Sequence, residues 1–270
     1  KRQMLQNDRF LTLMKHAWSN PFYQSLWGKA GVEPGDIRSL DDINRLPTFN
    51  SEDIKNDQAA HPPFGVLPGY EGLHQHLVTT PSRLQSSGGT TGKPRFTLQG
   101  TVENEVCAIS AARALWIQGA RPGDMLQIPA TNSLAALPWA YAKACTEYLG
   151  MLPITTGSGV VTPTRRQLEI AFDLGVNCWM SFPEYLNRLA QGAKEELGRD
   201  IRELKTKLIT TFLGPDLENT LRASLESQWG CPVYDNYGVN EVGHGAFECS
   251  ERNGLHFMED LTYFEVLDTE

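Results

Sequence analysis

No apolar run in this sequence is long enough to span a bilayer, so a membrane-embedded role is not expected. Lys1 to Leu13 is polar and mixed, without the apolar stretch of a secretory signal, although a trimmed start would hide one. Positive charge is in short supply: 24 Lys and Arg face 32 Asp and Glu, a net charge of −8 that speaks against nucleic acid or an anionic membrane as partner. Cysteine is sparse and unpaired in pattern. The five cysteines, Cys107, Cys145, Cys178, Cys231 and Cys249, are scattered and form no CxxC pair, which argues against a disulfide framework and for a reducing, cytoplasmic setting. Low-complexity tracts are missing, and no repeat exceeds the strand–helix alternation described below. Forty per cent hydrophobic and 21% charged residues over 270 positions are those of an ordinary globular chain able to bury a sizeable core.

Against this background one segment stands out. Ser86, Ser87, Gly88, Gly89, Thr90, Thr91, Gly92 and Lys93 place three glycines, four hydroxyls and a lysine in eight consecutive positions, followed by Pro94-Arg95. Glycines let main-chain amides approach a ligand closely, clustered amides form an anion-binding nest, and hydroxyls and a lysine add donors suited to phosphate oxygens. A flexible Gly/Ser/Thr linker is the plainer alternative. The P-loop of nucleotide triphosphatases does not fit: it needs four residues between its glycines and a Ser or Thr after the lysine. Here Gly88 and Gly92 enclose three residues, and Pro94 follows Lys93.

The amino-terminal residues predict amphipathic helix, with Leu5, Phe10, Leu13, Met14, Ala17 and Trp18 at near-helical spacing until Asn20-Pro21 stops the run. Short helix starts are expected at Leu40–Ile43 and Ser51–Ile54, and a Pro/Gly-rich loop over 61–72. Beyond the glycine-rich segment a regular alternation predicts a helix over 101–118 with Val102, Val106, Ile109 and Trp116 on one face, a strand over 125–129, a helix over 134–149 closed by Gly150, and a strand over 151–155. A Thr162 cap with Pro163 at the first helical position opens a helix to Leu174 and Gly175. A strand over 176–180 precedes a capping box, Ser181 to Glu184, and a helix to Leu197. A strand over 207–213, a helix capped by Asp216 and closed by Gly230, and a strand from Val233 complete the series. The expected fold class is α/β, a mostly parallel sheet flanked by helices, with ligands at the carboxyl ends of its strands. The expected organisation is a helical and irregular region over 1–75, an α/β core over 76–243, and a β segment over 244–270.

After the strand at Val233 comes Asp235-Asn236-Tyr237-Gly238-Val239-Asn240-Glu241. The Tyr237 ring suits stacking on a purine, Asp235 suits an exocyclic amino donor, and Glu241 suits magnesium beside substrate phosphates. Taken alone, this reads first as a strand-end turn with a solvated glutamate; beside the segment at 86–93 the ligand-binding reading takes precedence. Cys249 and His256, separated by a turn at Asn253-Gly254, form a candidate zinc pair, with Cys231 and His244 as weaker candidates; a buried cysteine and an unrelated strand histidine is the competing reading. His61, His74 and His76 make no compelling metal pattern.

SSGGTTGKPR together with YDNYGVNE resembles the acyl-adenylate-forming superfamily: acyl-CoA ligases, luciferases and adenylation domains. HAWSNPFYQSLWGKAGVEPGDIRSLDDINRLP and FECSERNGLHFMEDLTYFEVLD are similar to its phenylacetate–CoA ligase-like branch, and the likeness covers essentially the whole chain. The resemblance implies that Ser86 to Lys93 hold the β- and γ-phosphates of ATP. It implies further that Gly214 and Pro215 line the adenine pocket, Asp235 meets the adenine amino group beside Asn236, Tyr237 stacks on the ring, and Glu241 binds Mg2+. Asn240 departs from the family's usual Thr or Ser toward the α-phosphate. Ala130, Leu134, Ala135 and Trp139, with Gly238 and Val239, correspond to the acid-binding pocket, whose small aliphatic lining suits an apolar or aromatic carboxylic acid. These residues are equally the start of a core helix.

The implied reaction forms an acyl-AMP from ATP and a carboxylic acid, then passes the acyl group to the thiol of CoA or of a carrier-protein phosphopantetheine. In some relatives downstream cysteines complete a Zn2+ site of the Cys249/His256 kind. The ribose-binding aspartate and the small carboxyl-terminal domain with the adenylation lysine, which follow in the family, have no counterpart up to Glu270, so a fragment of a longer protein is expected. An adenylyltransferase acting on another acceptor and a nucleotide-binding scaffold are the rival functions, and a homodimer is a candidate assembly.

Overall fold

The computed structural model describes residues 1–68, 82–86, 94–216, 218–240 and 242–267. It falls into two units, Lys1–Thr101 with Glu259–Glu270, and Val102–Met258. Among the described residues no helix is long and apolar enough to cross a membrane.

In the first unit, α1 (Arg2–Trp18) and α2 (Pro21–Lys29) meet at the expected break. The break is also a start signal. The Asn20 carboxamide accepts from the Phe22 amide at 2.9 Å, and Pro21 takes the first helical position, where no amide is needed. Both predicted short starts are present, as a single 3-10 turn (Leu40–Arg45) and as α3 (Ser51–Ala60), which Asn50 caps. Met14, Ala17, Trp27, Val32 and Ile37 form the local core, with Trp18 edge-on to Trp27 at 5.0 Å. Leu5 and Leu13, placed on the same stripe by spacing, are exposed. Strand β1 (Ser82–Ser86) pairs antiparallel with β2 (Phe96–Gly100), and Ser86 lies opposite Phe96, so the two flanks of the glycine-rich segment are neighbours.

The second unit is built on one sheet. Helix α4 (Thr101–Ile117) leads to β3 (Met125–Gln127), α5 (Leu137–Lys143) and β4 (Leu152–Ile154), then to α6 (Thr164–Leu174), β5 (Cys178–Met180) and α7 (Pro183–Leu197). It closes with β6 (Leu208–Thr211), α8 (Thr220–Trp229), β7 (Val233–Val239), β8 (Gly243–Phe247) and β9 (His256–Phe257). The strand order is β4-β3-β5-β6-β7-β8-β9, parallel from β4 to β7 and antiparallel from β7 to β9. The chain steps outward from β3 to β4, then returns past β3 to β5, so the switch in direction lies between the carboxyl ends of β3 and β5.

Both faces of the sheet are covered, and the side-chain period of two sorts each strand between them. Cys178, Met180, Leu208 and Tyr234 join Ala111 and Leu115 of α4, Tyr141 of α5 and Cys145 just past it in one core. Trp179, Ile209 and Val233 join α6, α7 and α8 residues Leu168, Leu186, Leu189, Leu225 and Trp229 in the other. Trp179 and Trp229 meet there edge-on at 5.0 Å, both essentially inaccessible, and burying a large apolar side chain contributes about 2–3 kcal/mol.

Several local expectations are corrected. Helix α4 does not bury Val102 and Trp116, which are exposed; it buries Cys107, Ala108, Ala111, Ala112, Ala114 and Leu115. Small residues let this helix lie close on the sheet, while Trp116 is covered instead by the Arg121 guanidinium at 4.3 Å. The 134–149 helix starts at Leu137, and its last turn, Ala144–Leu149, widens to π-helix before the left-handed Gly150. Thr162 does not cap α6. Its hydroxyl donates to the Thr156 carbonyl at 2.7 Å, and Pro163 precedes the first helical residue. Ser181 forms no capping box, because its hydroxyl turns to the Pro129 carbonyl at 3.3 Å. Asp216 does serve α8, but from a distance: its carboxylate accepts from the Leu221 and Arg222 amides at 3.3 and 3.0 Å, past a left-handed Asn219.

Candidate functional site

Parallel strands bring the carboxyl ends of β3, β5, β6 and β7 to one edge of the sheet. Side chains lace these ends together. Ser181 donates to Pro129 O, Thr211 donates from its hydroxyl to Ser181 O at 2.7 Å, and the Asn236 carboxamide donates to Thr211 O at 2.6 Å. This belt spans the switch point, and sequence reasoning missed it because serine and threonine at strand ends look like helix caps.

Asp235 sits on the opposite side of β7 from Asn236. Its Oδ1 accepts from the Leu213 amide and the Asn236 amide, each at 2.8 Å, which pins the Gly214-Pro215 turn beside β7. Burial pushes its carboxyl above the usual carboxylate range, opposed by these two amides. Gly214 has φ +69°, a conformation natural to glycine, and both Gly214 and Pro215 are exposed. Beneath them the Arg222 guanidinium makes a two-pronged bond to Glu248 at 2.8 Å on each side, Arg222 also donates to Val233 O at 3.0 Å, and Glu248 accepts from the Asp235 amide at 2.7 Å. This buried pair fixes the backbone that carries Asp235.

Tyr237 presents its ring outward at 49% exposure, on a strand that bulges between Tyr237 and Gly238. Gly238 cannot be larger: a Cβ there would stand 2.6 Å from the Gly243 carbonyl oxygen. Gly243, at φ +79°, is held equally tightly, its Cβ position 2.6 Å from the Cys107 sulfur. Between them Val239 is exposed and Asn240 half-buried in the turn, with Val242 N bonded to Val239 O at 3.2 Å. Asn236 points the other way. It is buried with its carboxamide engaged inside the protein, so only its main chain faces the edge.

Ala130 is buried just past β3, and Leu134, Ala135 and Trp139 are exposed on the connection to α5 and its first turns, where the Trp139 indole donates to Ser133 O at 3.2 Å. All four follow the same carboxyl edge as Tyr237. Ser86 ends β1 in the first unit. Ser87, Gly88, Gly89, Thr90, Thr91, Gly92, Lys93, Glu241, His74 and His76 lie outside the described residues.

Among the described residues no three His, Cys, Asp or Glu side chains gather as a metal site. Cys249 is half-buried just beyond β8, and His256 is exposed on β9 opposite Phe247. Cys231 and His244 cannot share an ion. Cys231 packs in the α6–α8 core, where burial pushes its thiol up to about 12, whereas His244 reaches Tyr141 in the core on the other face of the sheet.

Comparison with known proteins places this architecture. No family model matches the chain. Phenylacetate-coenzyme A ligases of Pseudomonas putida and Thermus thermophilus are 30% and 31% identical over 97% and 99% of this chain. The chain spans 57% of the length of each. A crystal structure of 2-hydroxyisobutyryl-CoA ligase in an open conformation, in complex with 2-HIB-AMP and CoA, superposes with a TM-score of 0.81 at 25% identity, covering 92% of this chain and 56% of that one. The same ligase in its thioesterification state gives 0.81 at 26%, covering 94% and 53%. The fold is that of the acyl-adenylate-forming superfamily, and the chain belongs to it. Within that superfamily it falls in the phenylacetate–CoA ligase-like branch.

Proposed function

We propose that the protein to which this chain belongs joins a carboxylic acid to a thiol through an acyl adenylate. A carboxylate oxygen attacks the α-phosphorus of ATP and the bond to pyrophosphate breaks. The sulfur of CoA then attacks the acyl carbon and AMP departs. The observation that carries this reading is the carboxyl edge, where the Leu213 and Asn236 amides both donate to the Asp235 carboxylate and so hold the Gly214-Pro215 turn beside the strand that presents Tyr237. Tyr237 offers a half-exposed ring for adenine, and Asp235 keeps Oδ2 for its amino group, Oδ1 being occupied by two amides. Main-chain amides of 86–92 and the Lys93 ammonium would neutralise the β- and γ-phosphates, offsetting the repulsion between two approaching anions. Ala130, Leu134, Ala135, Trp139, Gly238 and Val239 would receive an apolar or aryl acid. Mg2+, with Glu241 as its protein ligand, would supply charge neutralisation at the phosphates. A Cys249/His256 zinc pair, a phosphopantetheine-bearing carrier in place of CoA, a homodimer and a cytoplasmic setting belong to the same reading.

Acid-dependent exchange of labelled pyrophosphate into ATP, across a panel of aryl and aliphatic acids, tests the reaction; no exchange with any acid, alongside intact AMP binding, turns the reading toward a scaffold. Tyr237→Ala should weaken AMP about tenfold in calorimetric titration, the size of one lost base–aromatic stack. Unchanged affinity removes the adenine assignment. Lys93→Ala should weaken pyrophosphate about tenfold and leave AMP nearly unaffected, since a charge-assisted bond to the outer phosphates is lost. An equal loss for both ligands contradicts the assignment of that loop to the β- and γ-phosphates.

A further inference from the structure

Directly under the strand that presents Tyr237 lies a buried polar network of which only Asn236 belongs to the nucleotide-like segment. Its centre is the Asn236 carboxamide. Oδ1 accepts from Gln118 Nε2 at 3.0 Å and lies 3.2 Å from His244 Nε2, while Nδ2 donates to the Thr210 hydroxyl at 2.9 Å and Thr211 O at 2.6 Å. The Tyr141 hydroxyl lies 3.4 Å from Thr210 Oγ1 and 3.5 Å from His244 Nε2. Gln118, Tyr141, Thr210, Asn236 and His244 are all buried. They come from the end of α4, from α5, and from β6, β7 and β8, so the network ties β7 to both neighbouring strands and to the two helices of that core.

The donor and acceptor pattern is directional. Two donors on Oδ1 require the Gln118 amide to present nitrogen and the His244 ring to carry its proton on Nε2. A neutral ring satisfies this, and burial holds the imidazole pKa down at about 4. The Asn236 carboxamide is therefore clamped from both ends, and its backbone, one residue before Tyr237, cannot rotate without breaking several buried bonds. An apolar core would pack equally well. What this arrangement adds is a fixed orientation of the β7 backbone at the point where it bulges, between Tyr237 and Gly238.

We infer that Gln118, through Asn236, is a positioning residue for the base-stacking tyrosine: the network sets the angle at which the Tyr237 ring meets a bound adenine. The inference rests on the nucleotide reading of Tyr237. It assigns function to a residue 118 positions away in sequence from the one it bonds, outside any segment that resembles a nucleotide motif.

The test is a double-mutant cycle read by calorimetric titration with AMP. Gln118→Met keeps the volume and removes the donor, and should weaken AMP about fivefold, the size of one neutral hydrogen bond. In a Tyr237→Ala background the same substitution should change affinity hardly at all, because the group it positions is gone. A general loss of packing would lower affinity equally in both backgrounds, and that outcome overturns the proposal, as does Gln118→Met binding AMP like the parent. Thr210→Val and Thr210→Ser form an independent pair should Gln118→Met fold poorly. The serine variant keeps the hydroxyl and should bind as the parent does, whereas the valine variant should lose affinity; identical behaviour of the two also overturns it. If Tyr237→Ala alone leaves AMP affinity unchanged, the nucleotide reading beneath the proposal fails and takes the proposal with it. That result is distinct from an intact tyrosine effect with no coupling.

Discussion

Arg222→Met should destabilise the fold by about 3–5 kcal/mol, the range for removing one partner of a buried ion pair. Both side chains are nearly enclosed, at 14% and 5% exposure, and the guanidinium satisfies three acceptors at once, both Glu248 oxygens and the Val233 carbonyl. Methionine fills the space but leaves a carboxylate buried without its counter-charge. The pair joins α8 to β7 and β8, so the loss should spread to the Asp235 backbone that Glu248 holds. Urea unfolding at neutral pH measures it. Adding Glu248→Leu to Arg222→Met should recover part of the loss, because the stranded charge is then gone as well. A single-variant loss below about 1 kcal/mol would mean that water reaches the pair and screens it as it does a surface bridge.

The second large effect is set by His244. Burial lowers its pKa from 6.5 to about 4. Between those values the unfolded chain binds the proton and the folded chain does not, so stability rises with pH across this window and is lost as pH falls through it. The full window corresponds to about 3 kcal/mol. Asp235 works in the opposite sense, because its carboxyl is raised in the folded state and holds a proton more readily there than in the unfolded chain. The histidine contribution is therefore read as a difference. Parent and His244→Gln should diverge in their pH profiles of unfolding free energy, the variant losing about 3 kcal/mol less between neutral pH and pH about 4. Parallel profiles would show that the ring is protonated in the folded state with no cost, which contradicts an enclosed, neutral imidazole.

The strand–helix series was legible because its punctuation is local. Gly150, Gly175 and Gly230 close their helices in the left-handed conformation, at φ +62°, +70° and +66°, and a glycine in that place signals itself without any tertiary knowledge. The helix ending at Leu197 was expected too, and as α7 it buries Leu186 and Leu189 against the sheet. What failed depended on partners far away in sequence. Val102 and Trp116 of α4 face outward, because the helix approaches its sheet mainly on small residues, Cys107, Ala111 and Ala112 among them. Thr162, Ser181 and Asp216 are residues that cap helices by habit, yet Thr162 and Ser181 bond carbonyls of other segments. Asn236 shows the same limit within the candidate site. The motif marks the segment, but alternation along β7 decides which members look outward, and that alternation turns Asn236 inward to Gln118. Sequence identified the nucleotide-like segment by its residue types; the bonds that hold it in place come from Gln118, Ser181, Thr211, Arg222 and Glu248, none of which carries a local signal for that role.

One small strand governs how the large sheet ends. In β4, Leu152 donates its amide to Asp124 O at 3.0 Å and Ile154 offers its carbonyl to Ile128 N at 2.9 Å, so both flanking residues direct their main-chain groups toward β3. Successive residues of a strand alternate in this direction, which leaves Pro153 turned away from β3, toward the side where no strand pairs among the described residues. Proline has no amide hydrogen to give. An intruding chain that tried to zip onto this margin would meet no amide donor at the middle of the strand, so a single imino acid disfavours lengthening the sheet at this border.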